Sequence, residues 1–180
     1  ITPLLGHIKK SSLSFTPVMV YLTSKIANDI PEFRQRIRGN KIIQHQLVHP
    51  SFAITPKNSD VFSFCPVAFQ YDFNKFYSDT IAAIQHFQEN PTVEDNEERD
   101  DYLFLSIIPW ISFTGFTHAM NNLEPDSVPR IVWGKYFKSE NKVLMPLSVQ
   151  AHHALVDGRQ IGVYFEKLEK EIKTFNAELK

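Results

Sequence analysis

Apolar positions recur at helical spacing in three stretches of the chain. Val18, Tyr21, Leu22, Ile26 and Ile30 form one stripe behind Thr16-Pro17, where a capping hydroxyl followed by proline marks a helix start. Phe76, Ile81, Ile84 and Phe87 form a second stripe, between residues 74 and 88. Ile161, Phe165, Leu168, Ile172 and Phe175 form a third, between 160 and 175, with Glu and Lys on the outer side. Ile1 reads as lying inside a further helix. Elsewhere the apolar residues alternate with polar ones or run together, rich in β-branched and aromatic types. These runs predict strands over 41–46, 48–55, 60–71, 102–108, 111–117, 130–138 and 142–151. Pro31 and Gly39-Asn40 punctuate the chain, and the acidic stretch 89–101 with its Asn90-Pro91 pair predicts an exposed loop. Helices mixed with many strands imply an α+β fold, a two-layer sandwich with a mostly antiparallel sheet. No repeat or linker divides residues 1–180, so a single domain is expected.

Composition narrows the function classes. A chain of 180 residues is long enough to bury a substantial core. Nineteen Lys and Arg against twenty Asp and Glu give a formal net charge of -1, which is no footprint for nucleic acid. The one cysteine, Cys65, excludes an internal disulfide framework and a Cys-rich zinc site, and no metal is expected. It sits in the apolar run Phe62-Ser63-Phe64-Cys65-Pro66 and reads as a buried structural thiol. No apolar run approaches membrane-spanning length and no signal peptide is visible, so a cytoplasmic protein without a membrane partner is expected. Fifteen Phe, six Tyr and two Trp exceed what any one pocket needs; most must be core, and some can line an apolar cavity.

The candidate chemistry is concentrated in His152-His153-Ala154-Leu155-Val156-Asp157-Gly158, between the last predicted strand and the last predicted helix. A general base needs a pKa near neutrality and a fixed ring, and an acid four residues on can fix the ring or its backbone. A lone histidine reads more readily as a core residue satisfied by backbone. Asp157-Gly158 is also ordinary turn chemistry.

The seven-residue run resembles the active-site motif of CoA- and carrier-dependent acyltransferases. Further stretches are similar, in the same order, to the chloramphenicol acetyltransferase family. They are Ser14-Phe15-Thr16-Pro17, Pro31-Glu32-Phe33-Arg34, Val48-His49-Pro50-Ser51, Pro109-Trp110-Ile111-Ser112-Phe113-Thr114, Gly134-Lys135-Tyr136-Phe137 and the whole of 142–158. The resemblance implies acetyl transfer from acetyl-CoA, as co-substrate, to the hydroxyl of a small molecule such as chloramphenicol, and hence antibiotic resistance. It implies a homotrimer with sites at subunit interfaces. His153 matches the base, and Asp157 the acid that organises the active-site loop through an ion pair. Family members carry an N-terminal segment ahead of the point where this chain begins. That segment, with the arginine that partners the acid, is expected to be missing. Strand parity sends His152 to the opposite face from His153, which makes it structural.

Other matches are partial. Lys135 and Tyr136 match CoA contacts, a cation for phosphate and a ring face for adenine; by spacing alone they are equally an exposed strand end. A lysine and an aromatic that contact CoA in the family are replaced by Ser14 and Thr16. The serine hydroxyl that holds the oxyanion in many members is replaced by Gly115, and a helper threonine by Val132. Thr114, Ser112 or a backbone N–H beside Gly115 then becomes the candidate donor, although Ser112 and Thr114 are also ordinary strand residues. Phe104, Phe113 and Phe116 are candidates for the acceptor wall and equally for core. Two rivals follow: a dihydrolipoyl acyltransferase-like core with the same chemistry, and a trimeric binding protein that keeps the fold without turnover.

Overall fold

Nearly every side of one helix is buried, and the rest of the fold is arranged around it. The computed structural model describes residues 1–57, 61–93, 99–119 and 126–177. Helix α1 (Thr2–Lys10) is followed by α2 (Phe15–Asn28), which has eleven of its fourteen residues buried and is therefore the central helix. It begins at Phe15 with Ser14 as N-cap, so Thr16-Pro17 lies inside its first turn instead of opening it. Asn28 clamps its far end: the side chain accepts from Val48 N–H at 2.8 Å and donates to Val48 O at 2.9 Å. A 3-10 turn (Pro31–Arg34) leads into a hairpin of β1 (Gln35–Arg38) and β2 (Lys41–Gln44), closed at Gly39 with φ +60. The alternation signal missed β1, whose core residue is a fully buried arginine. Arg36 donates to the carbonyls of Phe33, Gln35, Asp100 and Tyr102, and burial pulls its pKa down to about 10.

The main sheet contains β3 (His49–Ile54), β4 (Ser63–Pro66), β5 (Tyr102–Ile108), β6 (Arg130–Gly134) and β9 (Leu147–Gln150), in the order β4-β3-β5-β6-β9. The pairs β3–β5 and β5–β6 at its centre are parallel, and its outer pairs are antiparallel. With the hairpins β1–β2 and β7 (Phe137–Ser139)–β8 (Lys142–Leu144), antiparallel pairings are the majority among the described residues. Between β4 and β5 runs α3 (Phe73–Glu89), and α4 (Gly158–Thr174) follows β9. The α+β two-layer sandwich holds.

Several strand boundaries differ from the sequence expectation. The run 60–71 is a strand only over Ser63–Pro66, and Asp60 lies outside the described residues. The run 130–138 breaks after Gly134 into β6 and β7, and 142–151 breaks at Met145-Pro146 into β8 and β9, because proline cannot donate to a ladder. Residues 111–117 form no strand. In the acidic stretch, residues 94–98 lie outside the description. Asp100 and Asp101 are half-buried and paired, against the expected exposure.

The two faces of the sheet do different work. Leu103 and Leu105 of β5, Ile131 and Trp133 of β6, and Leu147 and Val149 of β9 join the core under the helices. The intervening residues face the other way: Phe104 and Ser106, Arg130 and Val132, Ser148 and Gln150. Helix α4 docks on α2 through Tyr164, which is fully buried, donates to Thr23 O at 3.3 Å and stacks on Phe33 at 5.0 Å. Of its expected stripe only Leu168 is deeply buried; Ile161, Phe165, Ile172 and Phe175 are half-buried.

Candidate active site

Three residues past β9 the chain turns sharply into α4. His152 builds this turn: its carbonyl accepts from Leu155 N–H at 2.9 Å and Val156 N–H at 3.0 Å, and its Nδ1 accepts from Ala154 N–H at 3.2 Å. Leu155 and Val156 are buried and pin the turn to the core. His153, next in line, is exposed and has no hydrogen-bond partner among the described residues. Both histidines lie beyond the strand, so strand parity does not separate them; the turn does, by using one ring and leaving the other free. Asp157 is the N-cap of α4. Its carboxylate accepts from Arg159 N–H at 2.7 Å, and its own N–H donates to the Gln160 side chain at 3.3 Å, forming a capping box. It has no ion pair among the described residues; a negative charge here also suits the positive end of the helix dipole.

The Thr114–Gly115 segment is a loop instead of a strand. It lies over the sheet face that carries Phe104, Ser106 and Val132. Ile111 O accepts from Lys135 N–H at 2.7 Å, Phe116 O accepts from Ser148 Oγ at 3.1 Å, and His118 N–H donates to Gln150 Oε1 at 3.0 Å. Ser106 Oγ lies 3.1 Å from His118 Nε2, and burial lowers the pKa of His118. Gly134 admits this loop: a Cβ there would meet Ile111 O at 2.7 Å. At Gly115, by contrast, a Cβ meets nothing within 4 Å and the backbone is not left-handed.

A groove of about 930 Å³ opens between this loop, β8, β9, α4 and Ile1–Pro3, with Phe113, Thr114, Gly115 and Ser148 in its wall. Phe113 and Phe116 pack at 5.5 Å, whereas Phe104 is on the sheet face outside the groove, stacked on Tyr102 at 5.8 Å with the Arg130 guanidinium 5.3 Å from its ring. His153, Asp157, Lys135 and Tyr136 are not in that wall. One chain therefore brings Phe113, Thr114 and Gly115 together in that wall, with Phe116 packed on Phe113, and His153 lines no part of it. Lys135 and Tyr136 are both exposed beyond β6, with the Tyr136 ring 6.1 Å from Phe15. The Lys135 ammonium has no ion-pair partner among the described residues, which fits a phosphate contact. Cys65 is buried and its thiol is pushed up to about 12, which leaves it inert. Among the described residues no group of His, Cys, Asp and Glu is arranged to hold a metal, and no helix is long and apolar enough to cross a membrane. Ser148 and His118 carried no sequence signal, since a serine in an apolar strand and a histidine in a loop have no telling spacing.

Solved structures share this architecture. A dihydrolipoamide acetyltransferase from Azotobacter vinelandii superposes with a TM-score of 0.70 over 94% of this chain and 74% of its own, and at 15% identity that likeness is one of fold. A chloramphenicol acetyltransferase superposes with a TM-score of 0.85 over 95% of this chain and 83% of its own, at 25% identity. The class is that of acyltransferases. The family model for chloramphenicol acetyltransferase matches residues 1–169. The Bacillus pumilus chloramphenicol acetyltransferase is 31% identical over 169 residues, 93% of this chain and 77% of that protein. The Clostridium butyricum chloramphenicol acetyltransferase is 32% identical over 173 residues, 94% of this chain and 78% of that protein. The chain belongs to the chloramphenicol acetyltransferase family and is an acyltransferase.

Proposed function

We propose that this protein transfers acetyl directly from acetyl-CoA to the hydroxyl of a small acceptor, with chloramphenicol as the first candidate. The observation that carries the reading is His153, held on a turn that His152 and Asp157 rigidify, its own ring unpartnered and exposed. The acetyl thioester supplies the electrophile. His153 takes the acceptor's proton as its oxygen attacks the thioester carbon, and returns that proton to the departing thiolate as the carbon–sulfur bond breaks. No acyl-enzyme forms, because the base activates the acceptor itself. Negative charge developing on the thioester oxygen is met by Thr114 or a backbone N–H beside Gly115. Lys135 and Tyr136 bind the CoA phosphate and adenine, Asp157 holds the turn, and Phe113, with Phe116 packed on it, walls the acceptor.

The groove beside Thr114 and Gly115 is not lined by His153 of the same chain, which supports a site completed by a second subunit, in a homotrimer. Trp110, Ile111, Tyr136 and Phe137 are exposed apolar residues suited to such an interface. A single domain acting in the cytoplasm in antibiotic resistance is the corresponding biological reading. Gly115 and Val132 favour a second reading, a binding protein of the same family without turnover. Acetyl-CoA consumption measured with and without chloramphenicol decides. Consumption that depends on the acceptor is the expected result; tight binding without consumption replaces the first reading by the second.

A further inference from the structure

Ser106, Val132 and Ser148 are register partners across β5, β6 and β9, so they form one row on the face away from the helices. Val132 fills the middle of the row and is buried, and the two serines flank it. Each serine reaches up to the loop above. Ser148 Oγ donates to Phe116 O at 3.1 Å, and Ser106 Oγ lies 3.1 Å from the His118 ring. Gln150, two residues along β9 on the same face, accepts from His118 N–H at 3.0 Å. The strand that delivers the His153 turn thus also fastens the Phe116–His118 end of the loop.

We propose that Ser148 is a positioning residue: its hydroxyl fixes the Phe116 carbonyl and thereby aims the Thr114–Gly115 backbone at the reacting oxygen. The proposal rests on the acetyl-transfer reading and adds what replaces the missing hydroxyl at Gly115. A backbone donor has no freely rotating group to place, so its effectiveness depends on how firmly the loop is held. Residues 115 and 132 cannot hold it, since one has no side chain and the other no polar atom. Ser148 supplies the hydroxyl that bonds to this segment, and its neighbour two residues on supplies an amide. In each chain the His153 turn and this loop are then both referenced to one strand, β9.

The test compares the full chain with Ser148→Ala and Ser148→Thr, by amide hydrogen exchange of residues 111–119 and by steady-state kinetics. In Ser148→Ala, exchange in the loop is expected to rise about tenfold, the size of one net hydrogen bond. Turnover falls by about tenfold in kcat with KM for acetyl-CoA within about twofold, the pattern of an interaction used in the transition state. Ser148→Thr restores both. Unchanged loop exchange in Ser148→Ala overturns the proposal, and so does a kcat loss that threonine leaves unrescued after restoring the exchange. If the parent protein consumes no acetyl-CoA, the acetyl-transfer reading fails, and the exchange arm alone decides whether Ser148 holds the loop.

Discussion

Gly115 stands, in the proposed function, where a serine hydroxyl would meet the developing oxyanion. The site around it is open, with nothing within 4 Å of an added Cβ and no left-handed backbone to strain. Gly115→Ser therefore adds a hydroxyl without a steric cost. A donor aimed at developing charge acts in the transition state more than in the ground state, so the gain belongs in kcat. We expect an increase of about tenfold or more when chemistry limits turnover, by analogy with the cost of removing such a donor. A neutral result in a folded variant means that the backbone already holds the oxyanion fully. At this scale the sequence was informative about Cys65, which is buried as its apolar neighbours implied. It was uninformative about Ser148, because a serine within an apolar strand has the same pattern whether it bonds a loop or merely faces one.

The elements most at odds with the sequence pattern are those where alternation has two physical causes. Ile111-Ser112-Phe113-Thr114 alternates like a strand, yet it is a loop. Phe113 packs against Gly134 and Phe116, and no neighbouring strand takes up the backbone. Alternation reports one buried side, which a loop lying on a sheet also has. The parallel centre of the sheet was similarly missed: β5 is the near-continuous apolar run that a parallel strand shows, but such a run does not by itself fix the pairing direction. Where β5 begins, charge does the tying. Asp100 accepts a bidentate pair from Arg38 at 2.6 and 2.8 Å and lies 2.9 Å from His45 Nε2, joining the β1–β2 hairpin to the sheet. The Arg38 contact, against opposing burial and with help from His45, lowers the Asp100 pKa from 3.8 to about 2. A carboxylate depressed in the folded state stabilises above its unfolded pKa, and that contribution disappears as pH falls through its folded pKa. Urea unfolding of the parent protein and Asp100→Asn should therefore differ most above pH about 4 and converge toward pH about 2. A difference that persists unchanged to pH about 2 removes the ion-pair explanation.

At the scale of the whole molecule, the helices, the α+β class and the His152–Gly158 turn were legible because each is set by local pattern. The relation of one half of the site to the other was not. His153 lines no part of the groove beside Thr114 and Gly115 in one chain, and a pattern within a chain carries no information about a neighbour. The proposed function joins them in a trimer, with His153 as the base. The most direct test is His153→Ala, assayed for acetyl-CoA consumption with the acceptor, alongside thermal unfolding and sedimentation. A trimer of unchanged melting temperature is expected, because the exposed ring makes no hydrogen bond within the described residues. A loss of turnover of about 100-fold or more is expected with it, the contribution of a general base. Near-parental turnover at neutral pH, or a stable monomer that retains full activity, would contradict it.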